Sequence, residues 1–269
     1  MASPLDAKRR LSLLAGWAAD RRVPTFLRGT VYRSYAALTG ADLTEMRGRT
    51  RDFGSLGAFF VRRLAEGARV VESDPGLLPS PVDALVQASS PVDADGAVVE
   101  AKGRTYPVRD LLAGVLDDVD LVGGHQFTLY LGPRDYHRIH SPLDADLVES
   151  RHVAGERYSV QPRVLAKRRV LPINERVACR LESEHGPFAM VLVGAVVVGR
   201  IRVVGVESLH RGAVSPPLHF DRGAEFGRFE MGSTVVLVTP AGFLEPLAEP
   251  GSTVRMGQAI ARIPGNEQR

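Results

Sequence analysis

The stretch GPFAMVLVGAVVVG, residues 186–199, decides the fold. It is the longest uncharged apolar run in the chain, 14 residues. A membrane-spanning helix needs about 20. Valine dominates the run and glycine interrupts it, a pattern of buried strands rather than of a helix. The same texture extends outward from residue 78. Short Val/Ile/Leu runs alternate with Gly, Pro, Asp and Ser in ALVQAS (84–89), GAVVEA (96–101), FTLYLG (127–132), RVACRLES (176–183) and STVVLVTP (233–240). This is strand-and-turn patterning. One segment, PVRDLLAGVL (107–116), is patterned as a helix.

The first seventy residues read differently. Leu11, Leu14 and Ala18, with Trp17 beside them, mark one helical stripe. Leu27, Val31, Tyr35 and Leu38 mark a second, entered after Pro24 and closed at Gly40. SLGAFFVRRL (55–64) predicts a third short helix with Phe59, Phe60 and Leu64 on one side. The chain is therefore expected to be α+β: amphipathic helices in residues 1–70 on a β-rich, largely antiparallel core in 71–269.

Net charge is +3, yet residues 1–70 hold 13 Lys/Arg against 6 Asp/Glu, so the basic character is N-terminal. Basic amphipathic helices bearing Trp, Phe and Leu suit an anionic membrane surface. The competing reading is three helices packed on their own core with a solvated basic rim. A nucleic-acid partner would rest on charge alone, with no recognition motif behind it. LSLLAGWAA (11–19) is too short to span, and Trp17 and the following DRR suit a surface helix better than a signal-peptide cleavage region. Cys179 is the only cysteine, which excludes an internal disulfide, and its strand setting predicts a buried, inert thiol.

Chemistry concentrates in GPRDYHRIHSP, residues 132–142. His137 and His140 lie between two prolines, so helical HxxH geometry for a metal is disfavoured; no HExxH motif or cysteine pair supports one, and no metal is expected. The alternatives are a turn with two solvated histidines or an irregular segment presenting two histidines with separate tasks. A Ser–His–Asp set is recognised by its roles in any chain order. Here His140 could serve as base, an upstream aspartate as its orienter, and Ser233 as nucleophile. No GxSxG elbow is present, so an ordinary hydrolase is poorly supported. Gly-Ser-Thr-Val occurs twice, at 232–235 and at 251–254. The second follows Pro250 and reads as a turn between short strands.

Taken together, FGSLGAFFVRRL (53–64), LPSPVDALVQ (78–87), AKGRTYPVRDLLAG (101–114), YLGPRDYHRIHSP (130–142), NERV (174–177) and GRFEMGSTVVLV (227–238) resemble the phosphatidylserine decarboxylases of the bacterial membrane-associated type. The resemblance runs nearly end to end. It implies a proenzyme that cuts itself between Gly232 and Ser233. His140, held in one tautomer by an aspartate, would take the proton of Ser233 Oγ, whose oxygen attacks the Gly232 carbonyl carbon. The resulting ester eliminates to dehydroalanine, and hydrolysis with loss of ammonia leaves a pyruvoyl (pyruvate) cofactor at position 233. A Schiff base between that group and the substrate amine would let the carboxylate leave as CO₂, turning phosphatidylserine into phosphatidylethanolamine. The family pattern gives His137 the return of the proton and selects Asp83 as orienter by its distance from Lys102-Gly103. Asp93, in a second SPVDA, and Asp144 are the alternatives. Two positions depart from the pattern: Ala84 stands where glycine is usual, and Met231 where leucine is usual.

The resemblance further implies a peripheral protein on the cytoplasmic face of the cell membrane, with large and small chains staying associated and a homodimer as one possible assembly. No nucleic-acid partner is implied. The alternatives within reach of the sequence are a soluble pyruvoyl-dependent decarboxylase of a free amino acid and a lipid-binding relative that is never processed.

Overall fold

The computed structural model describes residues 19–101, 104–195, 201–230 and 233–265. The stripe at Leu11–Ala18, Lys102-Gly103 and the Met231-Gly232 pair fall outside them.

Residues 186–194 form a strand, and it lies near the middle of an eight-stranded antiparallel sheet. In spatial order the strands are Arg211–Phe220, Ala145–Val153, Arg176–Ser183, Gly186–Gly194, Ser233–Thr239, His125–Leu131, Ala84–Pro91 and Thr253–Val254. Both faces of the central strands are covered, which is why their sequences are continuously apolar instead of alternating. Phe188, Met190, Leu192, Val235 and Leu237 face one core together with Phe226, Phe229 and Ile260. Ala189, Val191, Val193, Val236 and Val238 face the other, against Leu111, Leu112, Tyr106 and Leu171. The helix Val108–Leu112 supplies part of this second layer, as its patterning predicts. Cys179 is fully buried in the first core, and burial pushes its thiol up to about 12, so it is inert.

Residues 25–39 form a helix that ends at Gly40 in the left-handed conformation, φ 79°. Its buried face is not the predicted stripe. Tyr32 and Ala36 are buried, while Leu27, Val31 and Leu38 point outward and Tyr35 is half-buried. Tyr32 stacks on Phe59 at 4.7 Å between ring centroids, and with Met46 these rings form a small separate core. Tyr32 and Tyr35, packed on Phe59 and Phe53, hold the helix, so Leu27, Val31 and Leu38 are left at the surface. Phe59 and Phe60 come from the helix Leu56–Phe60, capped by the Ser55 hydroxyl on Ala58 N–H. Among the described residues no helix is long and apolar enough to cross a membrane.

Three bonds tie this helical region to the histidine segment: the Tyr35 hydroxyl donates to Pro133 O at 2.9 Å, Arg62 Nη2 to Arg134 O at 3.3 Å, and Arg138 Nε to Val61 O at 3.0 Å. The histidine segment also differs from expectation. Arg138–His140 is a short strand, paired with Glu225–Phe229, which pairs in turn with Ile201–Val203. Two strands were hidden by their composition. Ala145–Val153 carries charges along its length, and the edge strand Arg211–Phe220 contains two prolines.

Candidate active site

Strand register brings the separated motifs together. Ser233 opens its strand opposite Leu131 on one side and Gly194 on the other. Six residues after Leu131 the chain reaches His137. The His137 carbonyl then accepts a hydrogen bond from Phe229 N–H at 3.0 Å, four residues before Ser233. His137 is thus bracketed from both directions by the segments that flank the Gly232–Ser233 bond. Residues 137 and 140 are an odd number apart along an extended chain, so their side chains leave on opposite faces.

His137 is completely buried against the Phe60 ring, centroids 3.9 Å apart. Its Nδ1 donates to the Asp135 carbonyl at 2.8 Å, which leaves Nε2 as a bare lone pair without a partner. Burial lowers its pKa to about 3; the bond to Asp135 O opposes this, and the nearby Arg62 charge adds to it. The ring is therefore neutral at pH 7.

His140 is held differently. Its Nδ1 donates to Gly223 O at 2.7 Å, and its Nε2 accepts the Tyr136 hydroxyl at 3.1 Å. Burial lowers its pKa also. Gly223 needs to be glycine: its φ is +81°, and a Cβ there would lie 2.8 Å from Val71 Cγ2. Burial raises the Tyr136 hydroxyl to about 12, so it stays a donor to His140. A backbone carbonyl, not an aspartate, sets the His140 tautomer in this structure.

Asp83 is buried, but it bonds to neither histidine. Both of its oxygens accept from Arg69, Nε at 2.8 Å to Oδ1 and Nη2 to Oδ2, and Met256 N–H adds a third bond at 2.8 Å. Its charge nevertheless reaches His137 and His140, favouring the protonated form of each. Asp93 is exposed and caps its own turn, accepting from Asp95 N–H and Ala97 N–H. Asp144 is likewise exposed and accepts from Arg222 N–H. The second Gly-Ser-Thr-Val is a turn: Gly251 has φ 92°, and the Ser252 hydroxyl donates to Glu249 O.

Ser233 is fully buried, and neither its Oγ nor Thr234 Oγ1 has a partner. Buried polar groups are nearly always paired. Of nine unpaired buried side-chain atoms among the described residues, five belong to Ser233, Thr234, His137 and Arg62, so polar atoms with nothing to bond concentrate around this strand end. Tyr136, Gly223, Arg69 and Arg62 were not singled out from sequence. Tyr136 sits inside the histidine motif, and Arg69 and Arg62 were submerged in the general basicity of the first seventy residues.

Known proteins resemble this chain over most of its length. The phosphatidylserine decarboxylase family profile matches residues 56–262. A protein of Bordetella bronchiseptica named phosphatidylserine decarboxylase proenzyme is 37% identical over 93% of this chain and 89% of its own length. Proteins of the same name from Marinobacter nauticus and Azotobacter vinelandii are 36% and 37% identical, each over 94% of this chain and 93% of their own. The chain belongs to the phosphatidylserine decarboxylase family.

Proposed function

We propose that the protein decarboxylates phosphatidylserine to phosphatidylethanolamine after cutting itself between Gly232 and Ser233, with Ser233 becoming a covalent pyruvoyl group. The observation that carries this reading is the buried, unpartnered Ser233 Oγ at the head of a central strand, bracketed by the histidine motif. A side chain that keeps a hydroxyl unpaired in a dry setting is costly as structure and useful as a nucleophile. The site also fits the group that would replace it: small, shielded from water, and fixed by backbone pairing on both sides.

A pyruvoyl group supplies a carbonyl whose conjugation accepts the electrons released as CO₂ leaves. The chain's own residues do the rest. In maturation His140, with its proton fixed on Nδ1 by Gly223, presents Nε2 as the base for Ser233 Oγ once the Tyr136 hydroxyl moves aside. The Asp83 charge favours the imidazolium that results. In turnover His137, on the opposite face, would take a proton at its bare Nε2 from the substrate ammonium and return it to the carbon that loses CO₂, and the Phe60 ring keeps water from it. The exposed apolar residues of the helix Thr25–Thr39, Phe26 and Leu38 above all, would enter the interface of an anionic membrane and bring the site to its lipid. The basic N-terminal seventy residues would thus form the docking part.

The test is an intact-mass measurement on wild type and Ser233→Ala. Wild type should give a 37-residue C-terminal piece, Ser233–Arg269, with a blocked terminus. Ser233→Ala should give only the full chain and no decarboxylation. Activity surviving in Ser233→Ala would end this reading.

A further inference from the structure

Arg62 is 3% exposed, and its Nε and Nη1 have no hydrogen-bond partner. Among the described residues its only hydrogen bond is long, from Nη2 to Arg134 O at 3.3 Å, and its guanidinium rests over the Phe59 ring, 5.1 Å from the centroid. Among the described residues no carboxylate lies within ion-pair distance of it, whereas four neighbouring arginines are paired. Arg69 holds Asp83 and Glu45, Arg255 holds Glu45, Arg138 holds Glu225, and Arg134 lies against Asp135. A buried cation with neither counter-ion nor full hydrogen bonding is strongly unfavourable unless something else supplies the charge. Arg62 borders a cavity of about 500 Å³ that also reaches Thr39, Asp83, Gly132, Arg134 and Tyr136. The cavity thus joins the end of the exposed apolar helix to the neighbourhood of the histidines.

We infer that Arg62 is the anion anchor of this cavity, and that it binds the phosphodiester of the lipid headgroup. The inference rests on the decarboxylase reading above and adds to it the residue that distinguishes a lipid from a free amino acid. A rotation that releases the 3.3 Å bond to Arg134 O turns Nη1 and Nη2 to the cavity, where they form the two-donor fork that suits a phosphate oxygen pair. The substrate's other anion, the carboxylate, is a poor occupant. It departs as neutral CO₂, so a guanidinium paired with it would stabilise the ground state and lose that pairing in the transition state. The phosphodiester keeps its charge throughout, so the contact contributes equally to both states.

Uniform binding has a kinetic signature: KM moves and kcat does not. The experiment compares matured wild type, Arg62→Lys and Arg62→Leu on phosphatidylserine in detergent micelles and on an O-acyl serine amphiphile that lacks phosphate. The amount of 37-residue fragment normalises each preparation to its matured fraction. Arg62→Leu should raise KM for phosphatidylserine about 10- to 150-fold, the range for losing charge-assisted hydrogen bonds, with Arg62→Lys between it and wild type. The penalty on the phosphate-free amphiphile should be far smaller. Equal losses on both substrates, or a fall in kcat at constant KM, overturns the assignment. Normal maturation with such a result leaves the decarboxylase reading standing, while failure of wild type to mature or to turn over would count against that reading instead.

Discussion

Replacing Arg69 by leucine should destabilise the protein by about 3 kcal/mol, the lower end of the range for breaking one side of a buried ion pair. The Arg69 and Asp83 side chains are only 7% and 11% exposed, so solvent screens their pairing little. Two features keep the cost from being larger. Asp83 retains the Met256 N–H at 2.8 Å, and Glu45 retains Arg255 at 2.9 Å. The measurement is urea unfolding in a Ser233→Ala background, where the chain stays in one piece and a single transition can be compared. For a slope near 3 kcal/mol per molar, the midpoint should fall by about 1 M. Arg69→Lys, which keeps the charge but not the two-donor fork, should fall between the two. In a double-mutant cycle with Asp83→Leu, the double variant should lose clearly less than the sum of the single losses, because removing both partners leaves no buried charge alone. A shift under about 0.5 kcal/mol for Arg69→Leu, the scale of ordinary surface changes, would refute the idea that this pair fixes Asp83.

The other predictions follow from the same geometry. The histidine pKa values are lowered on folding, so the unfolded chain binds protons first as pH falls. Stability should therefore be full above about pH 6.5 and decline towards the His137 value of about 3, by up to ~1.4 kcal/mol per pH unit for this group; in Ser233→Ala, a further His137→Gln change should flatten that slope in urea titrations at several pH values. In the cleavable chain, Asp83→Asn should slow formation of the 37-residue fragment while Asp93→Asn leaves its rate unchanged, as followed on denaturing gels; the opposite order would move the maturation role to the second SPVDA. Phe26→Asp combined with Leu38→Asp should weaken sedimentation with anionic vesicles at least tenfold, since each apolar side chain contributes about 1.5–3 kcal/mol when buried. Both residues are more than four-fifths exposed, so circular dichroism should not change; undiminished binding would remove this helix from the docking surface.

What the sequence disclosed, it disclosed through strong periodicity. GPFAMVLVG is apolar at every position after Pro187, and only a strand covered on both faces satisfies that in so short a run. The strand Ala145–Val153 stayed hidden because its neighbour is an edge strand, and positions that face solvent carry Glu149 and Arg151, whose ion pair breaks the apolar alternation. Arg211–Phe220 stayed hidden because Pro216 and Pro217 argue against a strand, a penalty that vanishes at a sheet edge where N–H groups have no partner to lose. The stripe Leu27, Val31, Tyr35, Leu38 was legible as a stripe, but its direction was not. Periodicity cannot say that the Tyr32–Phe59 stack outweighs three aliphatic positions, because that choice depends on a ring 27 residues away. At the site, Asp83, His137, His140 and Ser233 were legible by motif, whereas Arg62 and Arg69 differ only in what lies beside them in space.

The two Gly-Ser-Thr-Val stretches now have connected roles. Gly251 N–H donates to Val86 O and Val86 N–H to Ser252 O, and Thr253 and Val254 pair with Leu85 and Ala84. This turn clamps the strand that begins one residue after Asp83, and it delivers Met256 N–H to the Asp83 carboxylate. A cut before Ser233 would leave the second stretch whole, and the first without its Gly232, on the small fragment. That fragment would still be held by the Ser233–Thr239 ladder between two strands, by the Thr253–Val254 pairing, and by Arg255 on Glu45. From Thr234 onward these bonds lie outside the severed peptide, so the geometry around Asp83 does not depend on chain continuity. If Asp83 serves maturation as proposed, its carboxylate is positioned partly by the fragment that maturation would release from the chain, a physical reason for the two pieces to remain one folded unit.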